Sequence, residues 1–274
     1  MITLDCLDKK RIGKRMTKES TSNAVERALS MLELVAESRK GMTNADLSRR
    51  LGIPKSSASN ILRVLEHRSY LRRGGDNKYH LGLQLMSLAS DALSDLDVRD
   101  IAKPELSRFL RKSGLPEAHL AILDNGSAVY IEKVEAQDSF IRMDIWVGHR
   151  LPVHTTAIGK ALVANLPENK ILEILSVQGM EKKTNKSITT TPKFLDHLAK
   201  VRKFGFAVDN EENSKGVRCI AAPIYDAQGA VAAAVGSSGT ILQIDEKNLP
   251  KYVEFLKKSA ELISRQLGYV SNAI

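Results

Sequence analysis

Cys219 and His154 are the residues best suited by type to nucleophilic chemistry, one a thiol and the other a base. No third group stands at a spacing that would orient the imidazole. Cys219 lies inside the apolar run RCIAAPI, the setting of a small buried hydrophobe. AIGKAL, at 157–162, has the Gly-Lys pair of a phosphate loop, but the glycine required five places before Gly159 is His154. The six His and two Cys show no metal-ligand spacing, and His149 and His154 stand five apart around Pro152. These residue patterns point to no enzyme, no cofactor and no metal site.

A different chemistry is legible in PKSSASNILRVLEHRSYLRRGGDNKYHLG, residues 54–82. Ile53, Ala58, Ile61, Leu62 and Leu65 fit the buried side of a helix that Pro54 starts well, because a missing N–H costs nothing there. Lys55, Ser56, Ser57, Ser59, Asn60 and Arg63 remain on the other side. Ser and Asn reach base edges or phosphates, and Arg or Lys forks onto guanine, so this face suits a major groove. YLRR and KYHLG read as two strands, with GGDN as the turn between them. Arg72, Arg73 and Lys78 on that hairpin suit phosphates or a minor groove. Thr43, at the start of the preceding helix, joins this candidate set.

The elements that must position these side chains come just before them. Val25, Leu29, Leu32 and Val35 recur at helical spacing after Ser20–Asn23 cap chemistry, and Gly41 stops that helix. Thr43 caps TNADLSRRLG, with Asp46 three residues on as a capping box and Gly52 as the stop. Helix, helix, helix and hairpin in this order describe a winged helix-turn-helix. Residues 1–82 hold 17 Lys and Arg against 9 Asp and Glu, a balance of +8, whereas 83–274 hold 24 against 23. Such asymmetry points to an anionic polymer as partner for the first part. The competing readings of that part are a solvated basic face, a protein-contact winged helix, and an architectural DNA binder without a ligand. Against the last stands a large, nearly neutral remainder.

With 274 residues, the chain has room for two domains. Residues 1–20 are polar and aperiodic, a mobile basic arm with no apolar signal segment. No apolar run approaches the length of a membrane span. Cys6 and Cys219 suggest no disulfide scaffold, so a reducing cytoplasm is expected. The domain reading is 1–20 arm, 21–82 winged helix-turn-helix, 83–97 linker helix and 98–274 second domain. Leu83, Leu85, Met86, Leu88, Ala89, Ala92 and Leu93 give the linker an apolar stripe that suits a second copy of the chain. EAHLAILDNGSAVYIEKVEA is two strands about an Asn-Gly turn, and FIRMDIWVG a third strand. HTTAIGKALVANLP is a helix capped by Thr155 or Thr156. Helices at 169–176 and 192–204, a second hairpin through Ala-Gln-Gly, and LPKYVEFLKKSAELISRQLG complete an α+β domain with an antiparallel sheet.

The segments NAVERALSMLELVAESRKGMTNADLSRRLGIPKSSASNILRVLEHRSYLRR, VGHRLPVHTTAIGKALVA and VDNEENSKGVRCIAAPIYDAQGAVAAAVGSSGT together resemble the IclR-type family of bacterial transcription regulators. The resemblance spans about residues 23–268. It implies a C-terminal domain with a GAF/PAS-like fold, assembly as a homodimer or dimer of dimers, and a double-stranded DNA operator. It also implies an effector that is a small organic acid or aromatic. The implied pocket is lined by Ala157 and Ile158, Asp209 and Cys219, and Gly236 and Ser238, with Trp146 as a wall. Some relatives carry a hydroxyl where Gly236 stands, and Gly-Ala in place of Ala157-Ile158. Free N–H groups at Thr155, Thr156, Ala157 and Ile158 favour a carboxylate, while Asp209 opposes an anion unless it is protonated or meets a ligand hydroxyl.

Overall fold

The computed structural model describes residues 23–38, 40–94, 97–136 and 143–270. The arm at 1–20, with Cys6, lies outside the described residues, as does the start of the expected strand at 140–142. The chain divides into two compact units between Ala92 and Leu93.

The first unit contains α1 (Asn23–Glu37), α2 (Asn44–Leu51), α3 (Lys55–His67), β1 (Leu71–Arg73), β2 (Tyr79–Leu81) and most of α4 (Gln84–Ser94). Thr43 caps α2 in a complete capping box with Asp46, and Gly52 closes it with φ 64°. The Ser48 hydroxyl donates to the Ile53 carbonyl at 2.6 Å, which fixes the turn into α3. Met31, Val35, Leu47, Ala58, Leu62, Leu71 and Tyr79 form the core. The expected stripe of α1 is only half used. Val25 and Leu29 are 57% and 52% exposed, because the core packs against the C-terminal half of the helix. β1 and β2 pair antiparallel with Leu71 opposite Leu81, and Met42 bridges to Tyr79. The described part of the α4 stripe faces outward, with Leu83 74% and Met86 69% exposed.

The second unit is an antiparallel sheet of order β5-β4-β3-β8-β7-β6 with helices on both faces. Its elements are α5 (Asp97–Ser113), β3 (Glu117–Asp124), β4 (Ser127–Glu135), β5 (Arg150–Pro152), α6 (Ala157–Val163), α7 (Glu168–Gln178), α8 (Thr191–Phe204), β6 (Ala207–Asn210), β7 (Val217–Tyr225), β8 (Val231–Thr240) and α9 (Leu249–Gln266). Alternation along the strands sends Leu120, Ile220 and Val235 toward α5 and α9. Their neighbours Ala121, Ala221 and Ala234 go toward α6 and α8. Small residues on that second face let α6 lie close to the sheet.

Asn125 and Gly126, with φ 47° and 76°, make the β3–β4 turn. The expectation of a strand over 140–148 is corrected: among the described residues, 143–149 is a looped segment, and the short strand comes later, at β5. Local bonds from the Ile145 amide to the Met143 carbonyl and from the His149 amide to the Trp146 carbonyl turn the backbone on itself. No helix among the described residues is long and apolar enough to cross a membrane.

Candidate functional site

On α3, Lys55, Ser56, Asn60 and Arg63 are exposed, and Arg63 donates to the Asn60 carboxamide oxygen at 3.3 Å. Ser57 is half-buried. Ser59 is turned inward and accepts from the Asn44 side chain at 3.3 Å, which ties α2 to α3. The Thr43 hydroxyl is spent on Asp46, at 2.6 Å. Ser59 and Thr43, both half-buried, thus also help to hold the two helices in place. On the hairpin, Arg72 and Arg73 are exposed, and Arg73 lies over the Tyr79 ring at 5.8 Å. Lys78 pairs with Asp76 at 3.1 Å, so part of its charge is answered within the turn.

In the second unit, a cavity of about 130 Å³ lies between α6, the sheet and the 143–149 segment. Strand register builds one side of it. Asp209 stands opposite Cys219, Cys219 opposite Ser238, and Ser238 opposite Glu117 across four neighbouring strands. Thr156, Ala157, Ile158, Asp209, Cys219, Gly236 and Ser238 all line this space. Trp146 does not. It stacks on His149, which does line the cavity, at 3.9 Å between ring centres. Thr155 also stands one layer back, its hydroxyl donating to the Asn213 carboxamide oxygen at 3.1 Å. At the start of α6 the Thr156 hydroxyl accepts from the Gly159 amide at 3.1 Å, so that donor is already satisfied.

The turn after β6 is held from several directions. Asp209 Oδ1 accepts from the amides of Glu212 at 2.7 Å and Asn213 at 3.3 Å. Buried Lys160 reaches from α6 to Glu212 Oε1 at 2.5 Å and the Val208 carbonyl at 2.9 Å. Thr184 donates to the Glu211 carbonyl and Ser187 to that of Glu212, each at 2.7 Å. Glu211 itself has φ 61°, a strained conformation that persists because these bonds over-determine the turn.

The sequence matches the profile described as bacterial transcriptional regulator IclR C-terminal over residues 90–265, and that of the IclR helix-turn-helix domain over 24–75. The chain belongs to the IclR family of bacterial transcriptional regulators. The HTH-type transcriptional regulator XynR of Escherichia coli K12 is 35% identical over 90% of this chain and 97% of its own length. KdgR of the same organism is 35% identical over 90% and 93%. The crystal structure of the Thermotoga maritima IclR superposes with a TM-score of 0.75 at 33% identity, covering 90% of this chain and 99% of that one. This IclR-family chain is thus a transcriptional regulator with an amino-terminal helix-turn-helix and a C-terminal effector-binding domain.

Within this IclR-type domain, burial pushes the Asp209 carboxyl up to about 7, against the pull of the two backbone amides and Lys160. Burial also carries the Cys219 thiol well above its ordinary value, and the Ser238 hydroxyl donates to its sulfur at 3.2 Å. A thiol so disposed is a poor nucleophile. His154 is engaged elsewhere, with Nε2 3.0 Å from the Glu181 carbonyl oxygen. Burial works against the charge of Glu117, but His119 at 3.0 Å and Lys133 at 3.1 Å outweigh it and hold the carboxyl below its usual range.

Sequence reasoning missed Tyr130, His119, His149 and Asn213 as lining residues. Tyr130 is delivered by a bulge: Leu120 pairs with Glu132 but Ala121 with Tyr130, leaving Ile131 as the extra residue. Ile131 then turns to the opposite core, and Arg99 of α5 donates to its carbonyl at 3.2 Å. Nothing in the local sequence marks that bulge.

Proposed function

We propose that α3 enters the major groove of an operator, that Arg72 and Arg73 hold its backbone, and that the cavity of the second unit receives the effector. The carrying observation is the division of exposed groups on α3: hydrogen-bonding and cationic side chains on one side, the domain core on the other. The domain limits that fit this reading are 21–82 for DNA, 83–97 for the linker and 98–274 for the effector. The protein works in the cytoplasm, where its DNA is, and it acts by binding, not by catalysis.

The functional unit is a homodimer or a dimer of dimers, which places two α3 helices one helical turn of DNA apart, about 34 Å, or a multiple of it. Leu83, Met86 and Leu88 supply the exposed apolar surface for it. Met86→Glu is expected to shift the protein toward monomer in sedimentation velocity. A wild-type monomer, or an unchanged dimer in the variant, removes α4 from the interface. The effector shifts the balance between two placements of the DNA-binding units by its differential affinity for them.

Fluorescence anisotropy with the gene's own upstream DNA, against a scrambled duplex and across a salt series, tests the whole reading. Specific binding that weakens steeply with salt is expected. Arg63→Ala is expected to cost about 1–3 kcal/mol of operator binding if its guanidinium reads a base. Equal binding to both duplexes would favour an architectural role, and unchanged affinity of the variant would take α3 out of the groove.

A further inference from the structure

Asn44, the first residue of α2, spends its side chain on α3. Its Nδ2 donates to the Ser59 hydroxyl at 3.3 Å and to the Lys55 carbonyl at 3.4 Å. The second contact fixes which end of the carboxamide points where. A carbonyl oxygen accepts a donor beside it and repels another acceptor, so the nitrogen and not the oxygen faces α3. The arrangement has a cost. Asn44 Oδ1 is buried with no hydrogen-bond partner among the described residues. A buried acceptor left unpaired is not what a tie between two helices requires, and breaches of this kind concentrate at functional groups.

The Ser59 hydroxyl has its role decided by this contact. A hydroxyl holds one proton and two lone pairs. Asn44 takes a lone pair, and its nitrogen cannot accept, so the proton has to go elsewhere. Among the described residues no group accepts it. Ser59 leans toward α2 but is only half-buried, one turn from exposed Ser56 and Arg63 and next to exposed Asn60. These residues occupy the side of α3 that the core positions Ala58, Leu62 and Leu65 leave open. Ser59 is the fifth residue of α3, and residues near the start of a recognition helix are the ones that reach base edges. The frame behind it is rigid. Thr43 caps α2 in the box with Asp46, and Ser48 fixes the turn into α3. Met42 exchanges two backbone bonds with Tyr79 of the hairpin, at 2.8 and 3.1 Å. A direction imposed by one side chain on another persists only on such support.

We propose that Asn44 is a positioning residue for base recognition: it makes Ser59 an obligate donor, and Ser59 gives its proton to a base edge in the major groove and excludes cytosine at the base it faces. The inference rests on the reading of α3 as the helix in the groove. Guanine presents N7 and O6 there, adenine N7 and thymine O4, all acceptors, whereas cytosine presents its N4 amino group, a donor. A hydroxyl free to rotate accepts from cytosine as readily as it donates to the other three. A hydroxyl held by Asn44 meets cytosine with donor against donor. The selectivity thus originates in a residue that does not itself have to touch a base.

The test is selection by the full chain from a duplex library, built on the gene's own upstream DNA with randomised half-sites, and read by sequencing. The wild type is expected to show one position in each half-site where cytosine is depleted roughly threefold to tenfold, the worth of one hydrogen bond. Ser59→Ala is expected to level that position and leave the rest of the pattern in place. Asn44→Ala frees the hydroxyl to rotate and is expected to level the same position. Asn44→Asp is the decisive variant, because a carboxylate accepts the Ser59 proton and turns a lone pair toward the groove. Cytosine is then expected to be enriched where it was depleted. An aspartate suits the start of α2, and circular dichroism of each variant checks that the helices are intact. The added charge weakens binding to every sequence alike, so the readout is preference at one position and not affinity. Variants that keep the wild-type pattern and lose only affinity overturn the proposal and leave Asn44 a tie between helices. So does levelling by Ser59→Ala without a change in the Asn44 variants, or a preference that Asn44→Asp fails to reverse. A wild-type pattern beside any of these failures keeps α3 in the groove, whereas a wild type that selects no sequence removes that reading and this inference with it.

Discussion

Lys160→Met is expected to destabilise the second unit by about 3–5 kcal/mol, the cost of leaving one partner of a buried ion pair behind. Lys160 is 0% exposed, and Glu212 Oε2 is buried without a hydrogen-bond partner among the described residues, so Glu212 depends on this lysine. Burial already raises Glu212 above its ordinary value, and loss of Lys160 raises it further. A carboxyl raised in the folded state gains a proton as pH falls, so the defect of the single variant is largest at alkaline pH and shrinks on acidification. Lys160→Met combined with Glu212→Leu is expected to lie near wild type, because neither charge then has to be desolvated. Urea unfolding followed by Trp146 fluorescence reads this unit alone, since the chain has one Trp. A single variant as stable as wild type would show that the pair contributes nothing.

Gly82→Ala is expected to abolish operator binding and cost the first unit about 3 kcal/mol or more. An added Cβ would lie 2.0 Å from the Ser69 carbonyl oxygen and 2.9 Å from the Tyr70 carbonyl carbon. These are backbone atoms at the end of α3, and the Gly82 amide donates to Tyr70 there at 2.8 Å. Relief requires the hairpin or the exit from α3 to move. Circular dichroism should show loss of a helical component while the Trp146 transition stays in place. Retained operator affinity would mean that the hairpin can shift without disturbing α3.

What was legible in the sequence was chemistry written in neighbouring residues. Thr43 with Asp46, Gly52 before Pro54, and Asn125-Gly126 each specify a local backbone, and the structure has all three. Features set by distant packing were not legible. Helix α5 carries Pro104 inside it, which breaks the pattern a helix is read by. β6 has four residues and takes its identity from pairing with β7. The 143–149 segment alternates like a strand, yet the Gly148 amide and the His149 carbonyl both bond Tyr130 while the rest loops away. In the cavity, Asp209, Cys219 and Ser238 were accessible through the family motif, whereas Tyr130, His119 and Asn213 depend on a bulge, a register and a turn.

Gly236 and Ile158 amount to a single filled volume divided between two walls. A Cβ on Gly236 would stand 3.3 Å from Ile158 Cδ1 and 3.1 Å from the Ile220 carbonyl oxygen, so the isoleucine occupies what the glycine leaves. A hydroxyl-bearing residue on the strand with a small residue on the helix would place the same bulk from the other side and bring a donor with it. Transplanting ligand preference between such regulators is therefore a paired exchange. Moving the strand residue alone crowds the isoleucine, and moving the helix residue alone opens a void above bare backbone. Recognition in this fold can drift by trading atoms across the cavity, with Leu120, Ile220 and Val235 on the far face of the sheet left undisturbed.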